Sequence, residues 1–363
     1  MGLSLGIVGM PNVGKSTLFN SLTSNEIPAE NYPFCTIDPN VGVVEVADER
    51  IAKLAKIVNS SKQVNAVIEY YDIAGLVRGA HRGEGLGNEF LGHIRITDAI
   101  VHVLRDFVSD DVAHVEKRID PREDREIIET ELILKDIATI EKKIESLNRE
   151  VRKDKKLIPF LDHLQELMSA LSEGELARSV NTHGDGVIAN RQQLFLLTDK
   201  PVIFVINGDW ENITTELGRQ LREKIGIEDE YPVLPLNIKI EAELAQLNDA
   251  EREEFKQELG LKYSGLEQLT RESYKLLNLM TFFTAGQQET RAWTVKNNST
   301  APEAAGVIHT DFQKNFIAAE VLSYSDFVEY GGWLGAREHG KVRLEGRGYV
   351  VREGDVMNFR HGA

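Results

Sequence analysis

The first residues that could do chemistry form a short glycine-containing segment near the start of the chain. Residues 9–16 read GMPNVGKS and satisfy the pattern G-x-x-x-x-G-K-S/T. Glycines at both ends let the backbone fold around phosphate oxygens, the lysine supplies a positive charge, and the serine hydroxyl can ligate Mg²⁺. The segment therefore predicts a site for a nucleoside triphosphate with Mg²⁺. Six residues are expected to contact the phosphates: Asn12, Val13, Gly14, Lys15, Ser16 and Thr17.

Two further segments are typical of a nucleotide-dependent switch. Asp72 ends an apolar run and opens the sequence Asp-Ile-Ala-Gly, which predicts a carboxylate beside the metal and a glycine, Gly75, that follows the γ-phosphate. Thr36 lies between the two motifs, in residues 31–40, where a hydroxyl can reach Mg²⁺ only while γ-phosphate is present. An ordinary proline-containing loop is the alternative for this segment. We expect Ser16, Thr36 and Asp72 to bind the metal, and Lys15 and Gly75 to act in catalysis.

The elements that position these residues follow from hydrophobic periodicity. Apolar runs at 4–8, 66–71, 99–104 and 202–206 predict buried strands of a mostly parallel sheet. A helix is predicted at 17–22, so that its free amides and positive dipole end face the triphosphate. These flanks favour a real phosphate site over a chance strand–turn–helix. The fold class predicted is α/β, with a P-loop domain.

Two other regions depart from this alternation. Isoleucines at 133, 137, 140 and 144 continue with Leu147 and Val151 in a heptad seam, and a shorter seam follows at 160–171. These seams, with a break at 152–159, predict an antiparallel coiled-coil hairpin inserted at about 121–195. After residue 279, short strand-like pieces at 292–295, 306–308, 316–321, 341–344, 349–351 and 356–359 predict a small β module. The domains predicted are therefore 1–278 and 279–363.

Composition limits the class of protein. The 363 residues include 42 Lys and Arg against 58 Asp and Glu, which gives a net charge of −16. Such a charge disfavours the binding of nucleic acid unless basic residues cluster on the surface. The single cysteine, Cys35, excludes an internal disulfide and fits a reducing compartment. Residues 1–8 read as a strand without a basic region, and apolar runs are far shorter than the ~20 residues of a membrane helix. We expect a cytoplasmic protein without membrane contact.

The motifs resemble those of one family. Residues 31–37 (NYPFCTI), 72–77 (DIAGLV) and 83–88 (GEGLGN) are similar to the Obg-related P-loop proteins of the translation-factor class, in particular to the YchF or Obg-like ATPase subfamily. Residues 283–286 (FTAG), 291–295 (RAWTV) and 354–356 (GDV) extend the resemblance to the end of the chain. The resemblance implies a C-terminal TGS-like domain of ubiquitin-like β-grasp fold, and ATP hydrolysis coupled to a role at the ribosome or on RNA.

The resemblance also implies unusual hydrolysis chemistry. Leu76 follows the Asp-Ile-Ala-Gly motif where Ras-like switches carry a glutamine that orients water. An aliphatic side chain cannot orient water, so another group must do so, and His93 is one candidate. A plain helical histidine is the alternative. Because neither a strong base nor an arginine finger is evident, we expect slow turnover.

The base-selecting loop follows the strand at 202–206. Asn207 and Gly208 are expected to contact the nucleotide, but Trp210 stands where a GTPase would carry a guanine-binding carboxylate. Loss of that acceptor weakens guanine selection without creating adenine selection, and an indole can stack on either purine. The resemblance favours ATP, with GTP as the alternative substrate.

Partners are suggested by the distribution of charge. Residues 141–156 hold seven Lys and Arg against four acids, so the hairpin tip predicts contact with RNA phosphates, with a solvated helical end as the alternative. We expect a monomeric ATPase switch that contacts the ribosome or RNA. The alternatives are a GTPase, or a binding regulator whose nucleotide turnover is incidental.

Overall fold

The computed structural model describes residues 3–24, 40–73, 86–108, 118–210, 213–258 and 263–362, with the backbone alone for 86–90 and 249. Two mixed β-sheets organise this part of the chain, and a long helical hairpin separates two strands of the first sheet. Within the same residues, no helix combines the length and apolar content that a membrane crossing requires.

The first sheet and its helices form the N-terminal part. Its strands are β1 (Ser4–Val8), β2 (Val41–Val46), β4 (Ala66–Asp72), β5 (Ala99–Arg105), β6 (Val202–Asn207) and β7 (Val233–Leu236), while β3 (Gln63–Val64) joins the second sheet. The strand order is β2-β4-β1-β5-β6-β7, with only β2 antiparallel to its neighbour among these described strands. The helices are α1 (Lys15–Leu22), α2 (Glu49–Val58), α3 (Leu86–Ile96), α7 (Thr215–Ile225), α8 (Ile238–Leu244), α9 (Asp249–Glu258) and α10 (Gly265–Leu276).

The predicted α/β arrangement of a P-loop domain is confirmed. Strand β1 has the predicted bounds, and β4, β5 and β6 each extend one residue further at the carboxyl end. Every residue of β1, β5 and β6 is buried, which explains why these strands read as continuous apolar runs. Parallel strands bring their carboxyl ends to one edge of the sheet, where ligands bind in such folds. The phosphate loop, Asp72 and Asn207 all lie at that edge.

The hairpin consists of α4 (Pro121–Glu150) and α5 (Ile158–Ser172), followed by α6 (Asp185–Gln192). Asp120 accepts hydrogen bonds from the amides of Arg122 and Glu123 and so caps the N-terminus of α4. The helix begins at Pro121, and proline suits the first helical position. A shared core includes Ile140 and Leu147 from α4 and Leu164 and Leu171 from α5. Helix α5 begins before Pro159, not after it as the sequence suggested, because proline fits the first turn.

The C-terminal part is built on the second sheet. Its strands are β8 (Leu279–Ala285), β9 (Thr290–Lys296), β10 (Phe316–Ser323), β11 (Arg343–Glu345) and β12 (Asp355–His361), in the order β11-β10-β12-β8-β9-β3. Helices α11 (Ala301–Ile308), α12 (Thr310–Lys314), α13 (Tyr324–Glu329) and α14 (Trp333–Glu338) accompany them.

The predictions of two short strands in this region are wrong. Residues 306–308 lie in α11, because the Glu303 carboxylate accepts from the Thr300 amide (2.7 Å) and hydroxyl (2.8 Å) at the helix start. Pro302 and three alanines then favour the helix. Residues 349–351 contribute only an isolated bridge between Val350 and Thr300.

The segment between β2 and β4 connects the two parts. Strand β3 pairs with β9, and α2 buries Ile51 and Leu54 in a cluster with Phe283 of the second sheet. Arg50 adds a salt bridge to Glu353 (2.6 Å), and its guanidinium lies 4.8 Å from the centroid of the Phe283 ring. The chain that leads to Asp72 is therefore packed against the C-terminal sheet.

We predict that Leu54→Ala lowers the free energy of unfolding by about 2–5 kcal/mol, because Leu54 is fully buried and its removal leaves a cavity. Urea unfolding measures the loss. Leu334→Ala is the matched control: that leucine is 76% exposed, so a change within about 0.5 kcal/mol is expected. Equal effects of both substitutions would contradict the packing described for α2.

Candidate nucleotide site

The phosphate loop owes its shape to backbone conformations that glycine permits. Asn12 and Gly14 have positive φ, 65° and 104°. A Cβ on Gly14 would lie 2.7 Å from the Asn207 Nδ2, and a Cβ on Gly9 would lie 2.4 Å from the Val103 carbonyl oxygen. Neither position has room for a Cβ, so the motif requires glycine at both. The loop is packed against β5 through Val103 and against β6 through Asn207.

Helix α1 begins directly after this loop, at Lys15. No side chain caps its N-terminus in the part of the chain that is described, and its first turn holds no acidic residue. Ser16 and Thr17 are exposed there. Unsatisfied amides and the positive end of the helix dipole suit a bound phosphate. The residues expected to contact phosphate are thus brought together at one helix start.

Lys15 is a buried cation, only 7% exposed. Its Nζ donates a hydrogen bond to the Met10 carbonyl oxygen (2.8 Å), across the mouth of the loop. Burial lowers the pKa of Lys15 from 10.5 to about 8, against the opposing effect of the Asp72 carboxylate. A triphosphate would supply further negative charge, so nucleotide binding favours the protonated lysine.

Asp72 lies at the end of β4, opposite Ile7 of β1 in the sheet register. Its amide donates to the Asn40 carbonyl oxygen (2.9 Å), which ties it to the last residue of the predicted switch segment, 31–40. Its buried Oδ1 has no hydrogen-bond partner among the described residues. A buried carboxylate oxygen without a partner among the described residues, with an electrostatic effect on Lys15 of the phosphate loop, fits an oxygen-ligated cation such as Mg²⁺.

Asn207 links the phosphate loop to the start of helix α8. Its Nδ2 donates to the Val13 carbonyl oxygen (3.0 Å), and its Oδ1 accepts from the Ile238 amide (3.2 Å). Gly208 is buried, and its amide donates to the Leu236 carbonyl oxygen (3.0 Å). Asn207 and Gly208 therefore fix the spacing between the ends of β1, β6 and β7.

Trp210 folds back over this turn. A Cβ on Gly208 would lie 2.4 Å from the Trp210 ring, and the indole Nε1 donates weakly to the Ile206 carbonyl oxygen (3.4 Å). The ring is partly buried against the core of the first sheet. Asn237 caps α8 by accepting from the Ile240 amide, so its side chain also serves the loop backbone. These contacts leave Trp210 less free to stack on a purine than the sequence suggested.

Three predicted residues need separate mention. Thr36, Gly75 and the neighbouring Leu76 lie outside the described residues. His93 is half-buried in α3, and the segment that joins it to Asp72 lies largely outside the described residues, so its role stays a prediction. The sequence reading missed the Met10 and Asn40 carbonyls, since backbone acceptors leave no residue-type signal.

The fold and the site define a P-loop nucleotide-binding protein, and comparisons with known proteins give its family. Residues 4–208 match the family model described as 50S ribosome-binding GTPase, and residues 279–362 match YchF-GTPase_C, described as a protein of unknown function (DUF933).

The similarity to known relatives extends along the full chain. Ribosome-binding ATPase YchF of Bacillus subtilis (strain 168) is 48% identical over 99% of both chains, and that of Escherichia coli O157:H7 is 46% identical over the same shares. The solved structure of the Schizosaccharomyces pombe YchF GTPase is 34% identical, with a TM-score of 0.84, and covers 99% of this chain and 98% of its own. The chain belongs to the YchF family, which confirms the resemblance.

The lowered pKa of Lys15 predicts proton uptake on nucleotide binding. Between pH 8 and 10.5 the folded protein holds this proton less tightly than the unfolded chain does, so the penalty that the charge of Lys15 imposes on folding shrinks as pH rises. Bound phosphate reverses the shift. Calorimetric titration with ADP at about pH 9, in two buffers of different ionisation enthalpy, should show uptake approaching one proton.

Lys15→Arg is the matched control for this measurement. Its guanidinium stays protonated throughout the range, so binding to this variant should take up no proton. Zero uptake by the unchanged protein at the same pH would contradict the electrostatics described for Lys15.

Proposed function

We propose that this chain is a Mg²⁺-dependent ATPase that acts as a molecular switch in the cytoplasm and associates with ribosomes. The observation that carries the proposal is the pairing of two features: among the described residues, the helix start at Lys15 has no side-chain cap and the Asp72 Oδ1 has no hydrogen-bond partner. Membership of the YchF family supports it, since full-length bacterial relatives are named ribosome-binding ATPases. The Schizosaccharomyces pombe relative is named a GTPase, which keeps GTP hydrolysis as the alternative.

Each residue of the proposed site has a separate task. The amides at 12–17 hold the phosphate oxygens, and Lys15 moves its Nζ from the Met10 carbonyl to the β- and γ-phosphates. Ser16, Thr36 and Asp72 would hold Mg²⁺, which neutralises charge that develops on the phosphates during hydrolysis. Gly75 follows the γ-phosphate, and His93 orients the water that Leu76 cannot orient.

The proposed base site contains Asn207 and Gly208. Both polar atoms of the Asn207 amide already bind the protein backbone, and no carboxylate stands at the position of Trp210. Guanine recognition by a carboxylate acceptor is therefore weakened. The preference for ATP over GTP rests on the bacterial relatives, which are named ATPases.

The proposed domain division is 1–278 for the P-loop domain, with a coiled-coil insertion at about 121–195, and 279–363 for a TGS-like β-grasp domain. The hairpin core shared by α4 and α5 and the mixed second sheet support this division. Ribosome or RNA contact is assigned to the hairpin, where residues 152–156 are exposed at the tip. A monomer remains our expectation.

Side-by-side measurement of ATP and GTP hydrolysis tests the proposed activity. We expect faster turnover of ATP, and a loss of at least about 100-fold in Lys15→Ala, because the transition-state charge loses its cationic partner. Lys53→Ala, at an exposed lysine of α2, is the matched control and should hydrolyse ATP normally. Faster turnover of GTP than of ATP, or normal turnover by Lys15→Ala, would sink the assignment.

The switch is tested by limited proteolysis of the segment 31–40. Cleavage there should be slower with a non-hydrolysable ATP analogue and Mg²⁺ than with ADP, because Thr36 binds the metal only beside γ-phosphate. Identical cleavage in the two states would favour a regulator whose nucleotide merely stabilises the fold.

A further inference from the structure

The C-terminal end of α3 is held by a lysine from a distant part of the sequence. Lys200 is buried just before β6, and its Nζ donates to the carbonyl oxygen of Arg95 (3.2 Å), which lies 105 residues earlier, and to that of Thr97. Arg95 is in the last turn of α3, and Thr97 directly follows the helix. The last carbonyls of a helix lack partners within it and carry the negative end of its dipole. A buried ammonium therefore suits this helix end.

The ammonium of Lys200 is costly to bury. Burial lowers the pKa of Lys200, while the carboxylates of Asp98 and Asp136 oppose that effect. Because taking a charged group out of water costs free energy, a buried lysine needs hydrogen bonds that compensate for the lost hydration. The two carbonyl oxygens at the end of α3 supply such bonds. The ammonium and the helix end therefore hold each other in place.

Apolar packing and these hydrogen bonds constrain α3 in different ways. Leu91 and Ile94 are buried in the core of the first sheet, which holds the helix against the strands. Hydrophobic contact is non-directional, so it does little to prevent a small shift along the helix axis. Hydrogen bonds weaken steeply with distance and angle, so two bonds from one nitrogen atom fix a position along that axis.

The segment that carries Lys200 is itself attached to the helical hairpin. Asp136 of α4 is fully buried and accepts from the amides of Leu197 and Thr198, each at 2.8 Å. The Thr198 hydroxyl donates to the same carboxylate (2.7 Å). Lys200 follows Thr198 by two residues, so the base of the hairpin sets its position.

A second contact joins the end of α3 to the same helix of the hairpin. The guanidinium of Arg95 donates to the Thr139 hydroxyl (3.0 Å). Thr139 follows Asp136 by three residues, and residues at that spacing are neighbours on a helix surface. The last turn of α3 is therefore held twice against the base of the hairpin, once through Lys200 and once through Arg95.

His93 lies in the same part of α3. It precedes Arg95 by two residues and is half-buried. The proposed function gives His93 the task of orienting water, and a displacement of about 1 Å in such a group can cost on the order of 100-fold in rate. A contact that fixes the end of α3 along its axis also fixes the position of His93.

We propose that Lys200 is a positioning residue for hydrolysis, which anchors the end of α3 to the base of the hairpin and so holds His93 in place. The inference rests on the proposed role of His93 and adds a residue that no sequence motif of the site contains. A lysine that only capped the helix would stabilise the fold and leave the turnover of the folded protein unchanged.

The test is a double-mutant cycle in the full chain, with kcat and KM measured for hydrolysis of ATP with Mg²⁺. His93→Ala should lower kcat at least about tenfold. Lys200→Met keeps the aliphatic stem and removes the ammonium. It should lower kcat about tenfold and change KM less than about twofold, because the phosphate loop is untouched. In the His93→Ala background, Lys200→Met should change kcat less than about twofold, since no histidine is left to displace. Single-turnover assays with excess protein measure these low rates.

Lys256→Met is the matched control, because Lys256 of α9 is also a buried lysine, paired with Glu253 (2.5 Å) and Glu267 (3.4 Å). Any loss of kcat that it causes should be the same with and without His93. Thr139→Val breaks the second contact at nearly constant shape, and it serves as the test if Lys200→Met does not fold. It should lower kcat about threefold, and only where His93 is present.

Each contrary result has a distinct meaning. Equal losses of kcat from Lys200→Met with and without His93, or unaltered kcat in both Lys200→Met and Thr139→Val, would overturn the inference and leave the role of His93 intact. A rise in KM at constant kcat would show that Lys200 acts on nucleotide binding, which also contradicts the inference. Normal kcat in His93→Ala would instead refute the proposed role of His93, and the inference with it.

Discussion

The burial of one positive charge, that of Lys15, is the constraint on which the rest of the site depends. A lysine at the first position of α1 adds its charge to the positive end of the helix dipole, and burial makes that charge costly. The Met10 carbonyl and the Asp72 carboxylate offset part of the cost without neutralising it. A bound triphosphate removes the remaining penalty, so the loop is shaped and charged for a polyanion before one arrives.

The same geometry connects the site to the rest of the molecule. Asp72 ends the strand that follows β3, and β3 extends the C-terminal sheet by pairing with β9. Helix α2, just before β3, is packed between the two parts through Leu54 and through the salt bridge of Arg50 with Glu353. A change at Asp72 is therefore one strand away from the C-terminal sheet. The hairpin leaves the first sheet between β5 and β6.

Local patterns in the sequence predicted those strand bounds and helix starts that depend on residues adjacent along the chain. The bounds of β1 and the start of α1 at Lys15 follow from an apolar run and a glycine motif. The tie from Asn207 to Val13 and the orphaned Asp72 oxygen require strands that meet only in the folded sheet. The helix at 301–308 was read in part as a strand because the cap at Thr300 lies outside the apolar triplet that suggested it.

The central claim is that triphosphate and metal bind between Lys15 and Asp72. A crystal structure with a non-hydrolysable ATP analogue and Mn²⁺, located by its anomalous signal, tests it most directly. The account predicts the metal beside the Ser16 hydroxyl and the Asp72 Oδ1, with Lys15 moved from the Met10 carbonyl to the phosphates. Phosphates bound elsewhere, or Lys15 still on Met10 with Asp72 unliganded, would contradict it.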